Sequence, residues 1–151
     1  MAVGTHMPSW VETGFAVYQK RLLSTCTLQL IEVRAGQRYK NQPKSTWITQ
    51  EEENLLAALP KHTRLVALDE RGQSWTTAQL AQQLQDWRLE GRPVSFLIGG
   101  ADGLGTQCLK QAEHIWSLSA LTLPHPLVRV VLIEQIYRAF SLLNGHPYHR
   151  E

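Results

Sequence analysis

The end of the chain carries the densest set of side chains that could take part in chemistry. The segment HPYHRE, from His146 to Glu151, combines two histidines with Tyr148 and Arg150. A tyrosine ring can stack on a base, an arginine can pair with a phosphate, and a histidine can do either or move a proton. His146 and His149 have HxxH spacing without a third ligand, so we predict no metal site. The alternative is a frayed terminus, against which the aromatic, charged and proline content argues.

A second candidate is the loop GGADGLG, from Gly99 to Gly105, which follows the apolar run VSFLI. Closely spaced glycines let backbone N–H groups approach a ligand. The spacing matches neither GxGxxG nor the P-loop, so it predicts neither a Rossmann fingerprint nor a Walker-type site. A ligand-binding loop and a tight strand-to-helix turn are equally compatible with it.

A third candidate is LSALTLPHP, from Leu118 to Pro126. Pro124 and Pro126 remove two backbone donors and rigidify the exit from a predicted strand. The small side chains before them leave backbone groups free to clamp a flat ligand. The alternative is a buried strand followed by a rigid turn, and His125 taken alone is typical of a hydrogen-bonded structural histidine.

A fourth candidate is the basic segment RAGQRYKNQPKS, which shows no periodicity and which we expect to be an exposed loop. It contains Arg34, Arg38, Tyr39, Lys40 and Lys44. Cations interleaved with an aromatic ring are typical of a contact with an RNA backbone, although a solvated loop is the default interpretation.

Length and composition describe one ordinary globular domain covering residues 1–151. Hydrophobic residues make up 43% of the chain and the net charge is only +2, so any contact with a nucleic acid must come from local clusters. Cys26 and Cys108 are interpreted as buried thiols in a reducing compartment. We find neither a signal peptide nor a stretch of about 20 apolar residues. We therefore expect a cytoplasmic protein that binds neither membrane nor DNA.

The elements that must position these candidates alternate between strands and helices, which predicts an α/β fold with a mostly parallel sheet. The first predicted strand ends at Thr5. Four more predicted strands cover Thr27–Val33, Leu65–Leu68, Val94–Ile98 and Ser117–Leu123. Three predicted helices cover Val11–Leu23, Thr106–Ile115 and Leu127–Leu143. A fourth begins at a capping box formed by Thr49 and Glu52 and ends at about Leu59. A fifth begins at a capping box formed by Thr76 and Gln79 and is terminated by Gly91.

Two further features predict a ligand site and a second subunit: the position of the two loops and the apolar surface of the last helix. Ligand sites in open sheets lie beyond the carboxyl ends of strands, where the glycine loop and the LSALTLPHP loop both fall. The last helix is apolar around most of its circumference, which indicates burial in the core or against a second subunit. A homodimer is therefore expected.

Four segments make the chain similar to a known family. They are AVGTHMPSWVETGF, LDERGQSWTTAQLA, VSFLIGGADGL and WSLSALTLPHPLVRVVLIEQIYRAFSLLNGHPYHRE. These segments resemble the bacterial 23S ribosomal RNA (pseudouridine-N3)-methyltransferases, the RlmH family of the SPOUT superfamily. The resemblance covers essentially the whole chain and is most specific in SLSALTLPHPLVR and in the ending NGHPYHRE.

The resemblance implies a fold, a cofactor and a substrate. The fold would be a SPOUT-type, mostly parallel sheet flanked by helices, with a C-terminal trefoil knot, in a homodimer. The substrate would be N3 of a pseudouridine in helix 69 of 23S ribosomal RNA on the assembled 70S ribosome. S-adenosylmethionine would be held largely by backbone groups, and by motif position these belong to Leu68, Gly99, Gly100, Leu118, Ser119, Ala120, Leu121, Thr122 and Leu123.

The implied chemistry suggests roles for the tail. The N3–H of pseudouridine is a weak acid that must lose its proton at or before attack, so a base or a stabilising cation would help. We expect His149 to act as the general base, Arg150 to stabilise charge and Tyr148 to position the nucleobase by stacking. Arg129 and Arg138 are further candidates for an RNA phosphate or a contact across the dimer.

Two other functions remain as alternatives. One is a non-catalytic knotted protein that binds the ribosome, against which the intact glycine and LSALTLPHP loops argue. The other is a methyltransferase of the same superfamily that acts on transfer RNA, which the absence of an extra RNA-binding domain disfavours.

Overall fold

Strands and helices alternate along the chain in the computed structural model, which describes the backbone of residues 1–149 and the side chains of residues 1–148. The strands are β1 (Ala2–Val3), β2 (Glu32–Val33), β3 (Arg64–Ser74), β4 (Val94–Leu97) and β5 (His114–Ser117). The helices are α1 (Ser9–Leu22), α2 (Lys44–Ala57), α3 (Thr77–Glu90), α4 (Thr106–Gln111) and α5 (His125–Leu143), followed by a 3-10 turn at Pro147–His149.

The strands run parallel and bring their carboxyl ends to one edge. β3 lies between β4 and β5, and β1 pairs with β2. A parallel bridge between Ala2 and Ile98 joins the two groups, with the Val3 N–H donating to the Ile98 carbonyl at 3.0 Å. The order across the molecule is therefore β2-β1-β4-β3-β5, and the loops that follow these strands meet at the same edge.

Alternation along β3 places hydrophobic side chains on both faces of the sheet. Leu65 and Ala67 pack in a cluster with residues of α2 and α4, whereas Val66 and Leu68 belong to a cluster with residues of α3 and α5. Helix α1 packs on α5 on that second side. The α/β prediction with a mostly parallel sheet flanked by helices is confirmed.

One predicted capping box is confirmed. The Thr76 hydroxyl accepts the Gln79 N–H at 3.2 Å, and the Gln79 side chain accepts the Thr76 N–H at 2.8 Å, so α3 begins where the sequence indicates. Gly91 ends the same helix in the left-handed conformation, with φ 73°.

The other predicted capping box, at Thr49 and Glu52, is wrong. Helix α2 begins five residues before Thr49, at Lys44, after an extended Pro43. The Glu52 carboxylate is buried and accepts the N–H groups of Gln107 and Cys108 at 2.6 and 2.9 Å. This carboxylate therefore accepts the free backbone N–H groups at the start of α4 and does not cap its own helix. Local sequence spacing does not reveal such a tertiary contact.

Further boundaries differ from the prediction. The strand predicted at Leu65–Leu68 continues to Ser74 as β3. The strand predicted at Ser117–Leu123 lies earlier, as β5, and the helix predicted at Thr106–Ile115 is correspondingly shorter. The register against β3 explains the shift, because Leu68 and Gln73 both pair with Trp116, whose ring is buried in the core. Similarly, the strand predicted at Thr27–Val33 is reduced to β2, because β1 offers only two residues to pair with.

A buried arginine joins α5 to the first two strands. Arg129 is 1% exposed, and its guanidinium donates to the carbonyls of Val3 and Gly4 at 2.8 and 2.7 Å. It also pairs with the Glu32 carboxylate. These internal partners leave Arg129 unavailable to an RNA phosphate, so its function is to hold the fold together.

We expect Arg129→Met to lower the free energy of unfolding by about 3–5 kcal/mol, because breaking a buried pair leaves its partners unsatisfied. Urea unfolding followed by tryptophan fluorescence measures this loss. Lys20→Met, at an exposed position of α1, should change stability by less than about 0.5 kcal/mol. Equal effects of the two substitutions would contradict the structural role.

Candidate functional site

A cavity of about 690 Å³, called here the first cavity, lies at the carboxyl edge of the sheet. Three segments line it: residues 68–71 within β3, residues 98–104 after β4, and residues 116–119 and 121–125 from the end of β5 to the start of α5. Val128, in the first turn of α5, also lines it. Two of these segments are loops that follow strands, whereas residues 68–71 belong to the part of β3 where its pairing with β5 is irregular.

The predicted cofactor residues gather around this cavity, with one exception. Ala120 is exposed and is not part of the lining. The residues that do line the cavity are Leu68, Gly99, Gly100, Leu118, Ser119, Leu121, Thr122 and Leu123. Their role as ligands of a cofactor stays a prediction, but the structure assembles them from three separate parts of the chain.

The glycine loop is so tightly folded that side chains would not fit. A Cβ on Gly99 would lie 2.5 Å from the backbone of Gly103, and a Cβ on Gly100 would lie 2.6 Å from the Glu51 carboxylate. Real Cβ atoms essentially never come closer than 3.0 Å. The turn interpretation of this loop and the ligand-loop interpretation are therefore compatible, because the same glycines fold the turn and line the cavity.

Short polar side chains shape the wall opposite the glycine loop. The Ser117 hydroxyl donates to the Ser119 carbonyl at 2.9 Å, and the Ser119 hydroxyl accepts the Leu121 N–H at 2.9 Å. The Thr122 hydroxyl donates to Glu70 at 3.1 Å, which ties this wall to the segment after Leu68. A hydrogen-bonded loop therefore stands where the sequence predicted a strand.

Acidic groups outnumber basic ones around the first cavity. The Asp69 carboxylate pairs with Arg71 at 3.0 Å, and the hydrogen bonds from this arginine lower the pKa of Asp69. The pKa of Asp102 is also lowered, first by the indole N–H of Trp47 and then by Lys44. Asp69 and Asp102 are thus paired with cations, whereas Glu70 has no ion pair among the described side chains and is the lining carboxylate that a cationic ligand could use.

Asp102 also connects the glycine loop to the basic segment. Its carboxylate lies 2.9 Å from the Arg38 guanidinium and 3.1 Å from the Lys44 ammonium, and it accepts the Trp47 indole N–H at 3.0 Å. The Arg38 guanidinium stacks over the Trp47 ring at 5.4 Å. The basic segment is thus docked on the candidate site instead of extending freely into solvent.

The tail residue Tyr148 lies outside the first cavity, on the surface formed by α1 and α5. Its hydroxyl donates to Glu134 at 3.2 Å and is 3.1 Å from the Tyr18 hydroxyl. Arg138 pairs with the same Glu134 and stacks over the Tyr148 ring at 4.9 Å. Burial and the Tyr18 hydrogen bond raise the pKa of Tyr148, so its phenol stays protonated and cannot serve as a base.

Two other predicted catalytic groups follow Tyr148 at the end of the chain. The side chain of His149 and the whole of Arg150 lie outside the described residues. Their roles remain predictions.

The sequence interpretation missed several polar groups. Asp69, Glu70 and Arg71 directly follow the strand predicted at Leu65–Leu68, although β3 continues through them, so the rule that sites lie beyond strand ends could have found them. Asp102 stands inside the glycine loop but was not considered as an anchor. His125 lines the cavity as the first residue of α5, and burial, then the nearby Arg129, lowers its pKa, so it is neutral at physiological pH.

Two classes of site receive no support from residues 1–148. No cluster of three or more potential metal ligands occurs there. Among the described helices, none has both the length and the apolar character needed to cross a membrane.

Comparisons with known proteins agree with this geometry. A family model described as a predicted SPOUT methyltransferase matches residues 1–149. The chain is 53% identical over 150 residues to a protein of Nitrosococcus oceani named ribosomal RNA large subunit methyltransferase H. That alignment covers 99% of this chain and 96% of the Nitrosococcus protein.

We expect Gly99→Ala to weaken binding of S-adenosylmethionine by about tenfold or more, since the added methyl forces the glycine loop open and displaces the cavity wall. Isothermal titration calorimetry measures the affinity. Gly91→Asn is the matched control, because asparagine tolerates the left-handed conformation there and a Cβ would meet no atom within 4 Å. Unchanged affinity in the Gly99 variant would show that the first cavity is not the cofactor site.

Proposed function

Because this chain belongs to the SPOUT methyltransferase family, we propose that it is an S-adenosylmethionine-dependent methyltransferase acting on large-subunit ribosomal RNA. The observation that carries the proposal is the first cavity, which three separate segments of the chain build and which most of the predicted cofactor residues line. More finely, we propose as its target N3 of a pseudouridine in helix 69 of 23S ribosomal RNA, on the assembled 70S ribosome in the cytoplasm.

The residues around the first cavity fit this cofactor. Its volume lies within the range of about 300–1,000 Å³ that is typical of small-molecule sites. The carboxylate of Glu70, which has no ion pair among the described side chains, suits a ligand that carries a sulfonium and an ammonium group. When bound, S-adenosylmethionine supplies an activated methyl group, so the protein must mainly align the acceptor with it.

We further propose that the tail acts at the first cavity of a partner subunit. Tyr148 is held by α1 and the middle of α5, whereas the first cavity lies at the first turn of α5. In a homodimer, Tyr148 would position the nucleobase, His149 would accept the N3 proton and Arg150 would stabilise the anion that forms.

The surface of α1 supports a homodimer. Trp10 is 53% exposed and Val17 is 43% exposed, and their spacing of seven residues places them on one face of the helix. Leu127, Val130 and Val131 of α5 are half-buried. Contacts through these two helices would complete the burial of the apolar surface.

The C-terminal trefoil knot is also part of the proposal. Its support is the family membership together with the loop from Leu118 to Pro124, which passes beside the glycine loop before α5 begins.

The decisive experiment incubates the protein with labelled S-adenosylmethionine and with 70S ribosomes that lack this methylation, and then maps the labelled nucleotide. We expect the label on the helix 69 pseudouridine. A parallel reaction offers transfer RNA, and label there would assign the enzyme to the other substrate class. Tight cofactor binding without transfer to either RNA would contradict the proposed substrate.

We expect His149→Ala to reduce the single-turnover rate of methyl transfer by about 10²–10⁴-fold, the usual contribution of a general base. The affinity for S-adenosylmethionine should not change. His62→Ala, at an exposed position before β3, serves as the control. A wild-type rate in the His149 variant would exclude it as the base.

We expect Val17→Asp to shift the protein from dimer to monomer, because an ionised carboxylate would be buried in an apolar contact. Sedimentation velocity measures the change. Leu89→Asp is the matched control, since Leu89 is 81% exposed on α3. A dimer that persists in the Val17 variant would place the subunit contact elsewhere.

A further inference from the structure

A second cavity of about 740 Å³ adjoins the first and shares Gly100, Ala101 and His125 with it. It opens between the loop after β1, the start of the basic segment and helix α2. Its polar lining consists of Thr5, His6, Arg34, Arg38, Glu51 and His125. The function proposed above makes no use of this cavity.

The two cavities differ in charge. Two guanidinium groups and one carboxylate line the second cavity, whereas three carboxylates and one guanidinium line the first. Arg34 has no ion pair among the described side chains, although Arg38 already pairs with Asp102. A cavity lined by a guanidinium without an ion pair attracts anionic ligands such as a phosphate.

Glu51, on α2, is the most unusual group in the second cavity. It is 2% exposed, and its Oε1 accepts the Gly36 N–H at 3.0 Å. Its Oε2 is buried against Gly100 and has no hydrogen-bond donor in the described part of the chain. A buried acceptor without a donor costs about 1–3 kcal/mol, which is typical of a site that a ligand completes. Burial also raises the pKa of this carboxyl.

We propose that the second cavity binds the acceptor nucleotide, with Arg34 and Arg38 contacting its phosphate and the Glu51 carboxylate accepting an N–H of its base. A pseudouridine base presents two ring N–H donors, of which uridine retains one. This inference rests on the proposed function, since the shared rim would bring the acceptor beside the methyl donor.

The test uses the full chain and two probes, pseudouridine 5′-monophosphate and inorganic phosphate, with binding followed by tryptophan fluorescence. We expect Arg34→Ala to weaken the binding of both probes by about tenfold, because it removes a charge-assisted contact. Glu51→Gln should weaken binding of the nucleotide by about tenfold, because it alters the proposed contact to the base. Phosphate binding should not change, because phosphate has no base.

Matched controls separate these effects from changes of charge and stability. Lys61→Ala and Glu53→Gln remove the same charges at exposed positions near or on α2 and should leave both affinities unchanged. If Glu51→Gln lowers the thermal midpoint without changing the nucleotide affinity, the carboxylate is structural and the proposal fails.

The wild-type measurements keep this proposal distinct from the proposed function. A wild-type protein that methylates ribosomes but does not bind the nucleotide would overturn the second cavity as the acceptor site, while the methyltransferase function would stand. Nucleotide binding that depends on Arg34 and Glu51 would support the acceptor site even if the methylated RNA proves to be another one.

Discussion

The arrangement of the candidate site depends on one buried cation. Arg129 lies in the second turn of α5, and its guanidinium reaches the carbonyls at the end of β1 and the carboxylate of Glu32 on β2. It therefore fixes the start of the last helix relative to the first two strands. His125, which borders both cavities, stands one helical turn before Arg129, so the same contact sets the position of the wall that the cavities share.

Helix α2 supports the glycine loop from the other side of the sheet, through two consecutive carboxylates. Glu51 packs against Gly100, and Glu52 accepts the N–H groups at the start of α4. Successive helical residues point about 100° apart, so one turn of α2 contacts both ends of the loop. The loop needs glycine where these carboxylates approach it, because a Cβ atom would clash with them. Packing against α2 is therefore one reason for the glycine content of the loop.

Features that depend on short-range patterns could be predicted from the sequence. The α/β alternation, the capping box at Thr76 and the αL residue Gly91 follow from local periodicity and turn chemistry. The cofactor set came from the family resemblance, and the structure gathers most of it around one cavity. The position of β5 could not be predicted, because its register is set by pairing with β3 and by burial of Trp116. The roles of Glu52, Asp102 and Arg129 likewise depend on partners far away in the sequence.

The contacts of Asp102 connect the basic segment to the glycine loop beside the first cavity. Arg38 and Lys44 are 47% and 75% exposed, so a phosphate group in solution competes with Asp102 for the same two cations. Any polyanion that draws these cations away removes restraints from the glycine loop beside the first cavity. The ion pairs of Asp102 therefore make the basic segment and the wall of the first cavity parts of one electrostatic network.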